Sequence, residues 1–197
     1  MNNTYRDLVH QTYEFPPPGF EVIDNQLHFN GVNLKEIIDK YGTPLKLTYL
    51  PKISSQIQKA KSGFRKAFKE LKYSGNYYYC YCTKSSHFHH ILNEVLNNDV
   101  HIETSYATDI NIVRKLYDEG LIDKQRYIIC NGFKTSRDTS NISRLINDGF
   151  ENVIPVLDNK EEIKYYQRLV KGNCNLGIRI AAEEEPSSEF YTSRLGI

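Results

Sequence analysis

The chain has 197 residues, 40% of them hydrophobic and 25% charged, the ordinary make-up of a globular protein with room for one domain or part of a larger one. A net charge of +1 excludes the broad basic footprint of a nucleic-acid-binding protein. No apolar run approaches the roughly 20 residues that span a bilayer, and MNNTYRDLVHQTYEF lacks the apolar centre of a secretion signal.

Residues 1–19 are polar, end in PPPG and read as an arm. FEVIDNQLHFNG then sets apolar runs on both sides of Asp24-Asn25, the pattern of a hairpin. In VNLKEIIDKYG the apolar positions Leu34, Ile37, Ile38 and Tyr41 have helical spacing, and Gly42 stops them. TPLKLTYL reads as a strand, and a helix with a basic solvent face follows over 54–71. Strands are then expected at 77–84, 100–105, 126–131, 152–157 and 176–182. Helices fall between and after them at 87–96, 108–119, 139–148 and 160–170. Strands separated by single helices and short loops imply βαβ units and a parallel sheet.

No Gly-rich phosphate loop follows the first of these strands, which weakens a dinucleotide-binding reading. An α/β barrel fits better. A complete barrel takes eight such units and about 250 residues. Five units are present and SRLGI reads as the middle of a connection, so an incomplete barrel is expected. Cys80, Cys82, Cys130 and Cys174 sit in the apolar, strand-like runs and read as reduced thiols of a cytoplasmic protein.

In a barrel, catalytic groups lie at the C-terminal ends of strands, where alternate side chains point inward. The five predicted strands end at or carry Lys84, Glu103, Asn131, Asp158 and Arg179, all polar. Their neighbours Ile102, Cys130, Leu157, Ile178 and Ile180 would face the surrounding helices. The bland explanation is that strand ends are polar because they meet solvent. Arg179 argues against it, because an arginine inside LGIRIAA needs an anionic partner, for which Glu103 is the candidate.

The run NYYYCYCTKSSHFHH, residues 76–90, offers several chemistries at once. Cys80-x-Cys82 lacks the two-residue spacer of zinc knuckles and thioredoxin-like sites, and no second pair lies nearby, so no metal site is assigned. His87, His89 and His90 open the following helix and read as partly exposed polar residues. The alternating tyrosines suggest a base-stacking platform, yet in a barrel strand helices would cover them. Lys84 shares a strand face with Tyr78, Cys80 and Cys82. Desolvation there would favour the neutral amine that forms an imine with a carbonyl, the alternative being a solvent-exposed lysine at a helix cap.

YGTPLKLTY (residues 41–49) followed by YCTKSS (81–86) resembles the opening of the fold-type III pyridoxal-phosphate decarboxylases, which include the arginine, ornithine and diaminopimelate enzymes. The resemblance implies a barrel of the alanine racemase-like (β/α)8 type. Residues 1–42 would be an arm and hairpin belonging to a β-domain, and 43–197 the N-terminal part of the barrel. It puts the cofactor lysine on Lys84, an acid on Glu103 and a second acid on Asp109 in HIETSYATD, Asn131 and Lys134 in IICNGFK, Asp158 in VIPVLDNKEEI, and the barrel arginine on Arg179. Glu103, Asp109 and Arg179 would lie around the cofactor, with Asp109 in support. A glutamate at 103 is closer to the biosynthetic arginine decarboxylases than to the ornithine enzymes. The sequence departs from the family at Ser86 and at Tyr106-Ala107-Thr108, which bears on substrate identity.

The implied activity is decarboxylation of a basic amino acid, arginine first and then diaminopimelate or ornithine, by a cytoplasmic homodimer in polyamine biosynthesis. The 197 residues alone are expected to have little activity, because the family's remaining site residues lie beyond the matched region. Two alternatives stay open. One is a related lysine-bearing barrel, either an alanine racemase or a small pyridoxal-phosphate carrier; the other is a non-catalytic homologue that binds a partner.

Overall fold

The computed structural model describes residues 18–181 and 196–197. Nearly all of the predicted arm, the last residue of the predicted fifth strand and most of SRLGI lie outside them. The chain divides into two compact units, one up to Thr48 and the other from Tyr49 onward.

In the first unit, β1 (Phe20–Ile23) and β2 (Gln26–Phe29) pair antiparallel through the expected hairpin. Asp24 and Asn25 at its tip have φ of 48° and 61°, the left-handed pair that a two-residue turn requires and that Asp and Asn tolerate. A short third strand, β3 (Val32–Asn33), joins β2. Helix α1 (Leu34–Tyr41) follows at once, because the Asn33 side chain accepts from the backbone N–H groups of Lys35 and Glu36 at 2.9 and 3.3 Å. Gly42, at φ 80°, ends the helix. TPLKLTYL forms no strand: Leu47 is half exposed, and no ladder partner exists for the segment among the described residues. Residue composition alone does not make a strand without a neighbour to bond.

The second unit begins with α2 (Pro51–Glu70), opened by a proline in its first turn. Then come β4 (Cys80–Cys82), α3 (His89–Leu96), β5 (His101–Thr104), α4 (Ala107–Asp118), β6 (Ile128–Cys130), α5 (Ser136–Asn147), β7 (Val153–Leu157), α6 (Glu162–Leu169) and β8 (Gly177–Ile178). The strands form one parallel sheet in the order β4-β5-β6-β7-β8, so each strand neighbours the next in sequence. Beyond β8 the backbone of Ile197 adds a parallel bridge: its N–H donates to Arg179 C=O at 2.7 Å and its C=O accepts from Ala181 N–H at 3.0 Å.

Alternation sorts the side chains as anticipated. Ile102, Ile128, Cys130, Val153 and Leu157 are buried in one core with Ile110, Val113, Leu116, Ile142, Leu145 and Tyr166 of the helices. Ile57, Ile91, Val95 and Val100 make a smaller cluster where α2 meets α3. The helices therefore cover one face of the sheet, which is wound in one direction only. A doubly wound sheet reverses its strand order and is covered on both faces. The architecture is an α/β fold with a five-stranded parallel sheet and six helices among the described residues, compatible with part of a barrel. Ile178 and Ile180 are 63% and 80% exposed, since no described helix covers β8.

Candidate functional site

The polar residues converge at the C-terminal ends of the strands, and the structure treats each differently. Cys82 and Glu103 are register partners on β4 and β5, with Cys82 Sγ 3.7 Å from Glu103 Oε1. Asn131, one residue beyond β6, donates Nδ2–H to the same Glu103 oxygen at 3.2 Å. Three neighbouring strands thus place a thiol, a carboxylate and an amide in one chain on the face away from the helices. Burial first, and the Glu103 charge second, push the Cys80 thiol above its ordinary range.

Lys84 lies two residues past the end of β4, where the ladder stops earlier than the apolar run suggests. It is the third residue of a tight turn closed by Ser85 N–H donating to Cys82 C=O at 3.1 Å. Its side chain is exposed, and no ion pair reaches its ammonium among the described residues. The expected desolvation of this amine is therefore not found: the turn lifts it off the sheet into solvent.

Asp109 is buried at the third position of α4 and spends its carboxylate on protein donors. Oδ2 accepts from Ser105 N–H at 2.9 Å, Tyr106 N–H at 3.3 Å and the Thr83 hydroxyl at 2.9 Å. It caps the helix and ties the end of β4 to the β5–α4 connection.

Arg179 follows β8 and is half-buried. It forms no ion pair with Glu103, contrary to expectation. Two strands, β6 and β7, separate β8 from β5, a spacing of about 14 Å across the sheet at 4.8 Å per step. Asp158 is buried just after β7, with Oδ1 lacking any partner and its backbone N–H donating to Glu162 Oε2 at 3.3 Å.

A second lysine lies beside these, at Lys134, which the family resemblance singled out without a partner. Lys134 and Glu162 are buried as an ion pair at 3.3 Å, each side chain 2% exposed. Lys134 Nζ also donates to Gly132 C=O at 2.7 Å and to Val156 C=O, and Glu162 accepts from Lys134 N–H and Asn159 Nδ2–H as well. The clamp joins the ends of β6 and β7. Four-residue spacing from Asp158 to Glu162 in VLDNKEE was the one available signal, since it sets a carboxylate in the first turn of α6 where it can reach back.

Two cavities among the described residues lie elsewhere. One of about 320 Å³ is lined by Ile146, Phe150, Asn173 and Cys174, and one of about 510 Å³ runs along Ala60, Gly63, Phe64 and Ala67 of α2. Neither includes Lys84, Glu103 or Asn131.

The sequential parallel sheet with a polar row at its C-terminal end defines an α/β protein whose topology is compatible with part of a barrel. Among solved structures, the chain is similar to the biosynthetic arginine decarboxylase SpeA from Campylobacter jejuni, with a TM-score of 0.67 at 19% sequence identity. The match covers 84% of this chain and 30% of that enzyme, and at this identity the likeness is one of fold. No family model matches the chain, and no curated protein matches it. No described helix is long and apolar enough to cross a membrane.

Proposed function

We propose that this chain is the lysine-bearing part of a pyridoxal-phosphate-dependent decarboxylase acting on a basic amino acid, arginine first and diaminopimelate or ornithine after it. The observation that carries the reading is Lys84. It is an amine without an ion-pair partner among the described residues, on a fixed turn at the C-terminal edge of a parallel sheet, one strand from the Glu103 carboxylate, on a fold like that of an arginine decarboxylase. The residues present fit such a cofactor in two respects. Among the described residues Lys84 has no competing partner to give up before bonding to a carbonyl, and the orphaned Oδ1 of buried Asp158 leaves an acceptor at the same sheet edge.

In this reading Lys84 would hold the cofactor covalently, and Glu103 and Arg179 would lie beside it. Asp109 acts indirectly through the backbone it ties down. When bound, pyridoxal phosphate supplies the electron sink for loss of carbon dioxide. The chain's own contribution is positional. Asn131 fixes one Glu103 oxygen by donating to it, and the other oxygen stays free to accept a proton or a cationic group. The barrel completed to eight strands, the homodimer and a place in polyamine biosynthesis belong to the same proposal.

The parent protein, supplied with pyridoxal phosphate and carboxyl-labelled arginine, should release labelled carbon dioxide, and Lys84→Ala should abolish the release. No release from arginine, diaminopimelate or ornithine contradicts the proposal. A non-catalytic binding homologue is the second reading, favoured by the exposure of Lys84.

A further inference from the structure

The Lys84 side chain has no ion-pair partner among the described residues, but its backbone is held on both sides. Thr83, completely buried, donates its N–H to Glu103 C=O at 2.9 Å. Its hydroxyl lies 2.9 Å from Asp109 Oδ2 and 3.1 Å from Glu103 C=O, its two available acceptors. On the other side, the Tyr81 hydroxyl donates to Ser86 C=O at 2.9 Å. Between these anchors the Ser85 N–H to Cys82 C=O bond closes the turn. Strand alternation explains the arrangement: Tyr81 and Thr83 point to the helix side, where partners are buried, and Cys82 points to the other face. Burial pushes the Tyr81 hydroxyl above its ordinary range, so it remains a donor at neutral pH.

We infer that Tyr81 and Thr83 are positioning residues that mount the Lys84 turn, with Asp109 as the fixed post to which Thr83 is tied. The inference rests on the proposed role of Lys84. A long, flexible side chain captures a carbonyl efficiently only when its root is held still. Neither residue would touch substrate or cofactor.

Tyr81→Phe removes only the hydroxyl, Thr83→Val replaces it with a methyl group, and Thr83→Ser restores it. Two readouts apply to the purified protein: hydrogen exchange at the Ser85 amide, and the rate at which Lys84 is captured by pyridoxal phosphate followed by borohydride. Trace acylation of the exposed Lys52 serves as the internal reference. Tyr81→Phe and Thr83→Val should each speed Ser85 exchange about tenfold and slow Lys84 capture several-fold, with Lys52 unchanged and Thr83→Ser close to wild type. If Thr83→Val does not fold, Tyr81→Phe decides alone. Exchange and capture both within twofold of wild type overturn the mount. Wild-type capture at a lysine other than Lys84 would overturn the functional reading instead, and the Ser85 exchange would still decide the mount.

Discussion

Two lysines follow strand ends of the same sheet, and their surroundings are opposite. Lys84 leaves β4 on a tight turn, with its backbone tied and its amine in solvent. Lys134 follows β6 with its ammonium buried against Glu162, Gly132 C=O and Val156 C=O. A lysine surrounded by acceptors is held in place, whereas one with no partner among the described residues is free to reach a ligand. The difference teaches that a lysine's position at a strand end does not assign its role; its hydrogen bonds do.

The largest effect should come from breaking the buried member. Lys134→Met leaves Glu162 buried without its cation and should destabilise the protein by about 3–5 kcal/mol in denaturant unfolding. Lys84→Met should cost less than about 0.5 kcal/mol, as for exposed substitutions elsewhere. Equal losses at the two sites would erase the contrast. Next in size, adding Glu162→Gln to Lys134→Met removes the uncompensated charge and keeps one acceptor oxygen, which can serve Asp158 N–H or Asn159 Nδ2–H. More than half of the lost stability should return, and a double-mutant cycle measures it.

The thiols repeat the contrast on a smaller scale. Burial pushes Cys130 up to about 12, and it is 1% exposed in the core near Lys134. At pH 8 it should resist alkylation until the protein unfolds, while the half-buried Cys82 reacts first. Mass spectrometry of partly alkylated protein checks the order.

The smallest effect concerns the opposite end of the sheet. His101 packs against Tyr78 and Tyr127 with ring centroids 5.3 and 5.0 Å away, and burial, then Arg126, lower its pKa. Its charged form is therefore disfavoured in the folded state. Stability should be full above about pH 6.5, the unfolded value, and decline as pH falls through the lower folded value. His101→Gln should flatten that decline in thermal melts between pH 7 and 5, leaving Lys84 capture unchanged.

Much of this was readable in the residues. Hydrophobic period placed each βα unit of the second region within a few residues, and strand parity brought Glu103 and Asn131 to one face, where they meet at 3.2 Å. The strands came out shorter than the apolar runs because a ladder ends where its neighbour's does; Tyr77 and Tyr78 precede the first ladder bond, which Tyr79 C=O accepts from His101 N–H at 2.8 Å. TPLKLTYL failed for the related reason that no strand among the described residues pairs with it. The Arg179–Glu103 pairing failed because a shared face does not bring two residues together when two strands lie between them. The Lys134–Glu162 clamp depends on the loop after β6 meeting the first turn of α6 in space, and the spacing of Asp158 and Glu162 hints at only half of it.

The most direct test is to load the protein with pyridoxal phosphate, reduce it with borohydride and map the modified lysines. The account predicts modification at Lys84, none at Lys134, and loss of the specific signal in Lys84→Ala. Specific modification at Lys134, or labelling that survives Lys84→Ala undiminished, would contradict it.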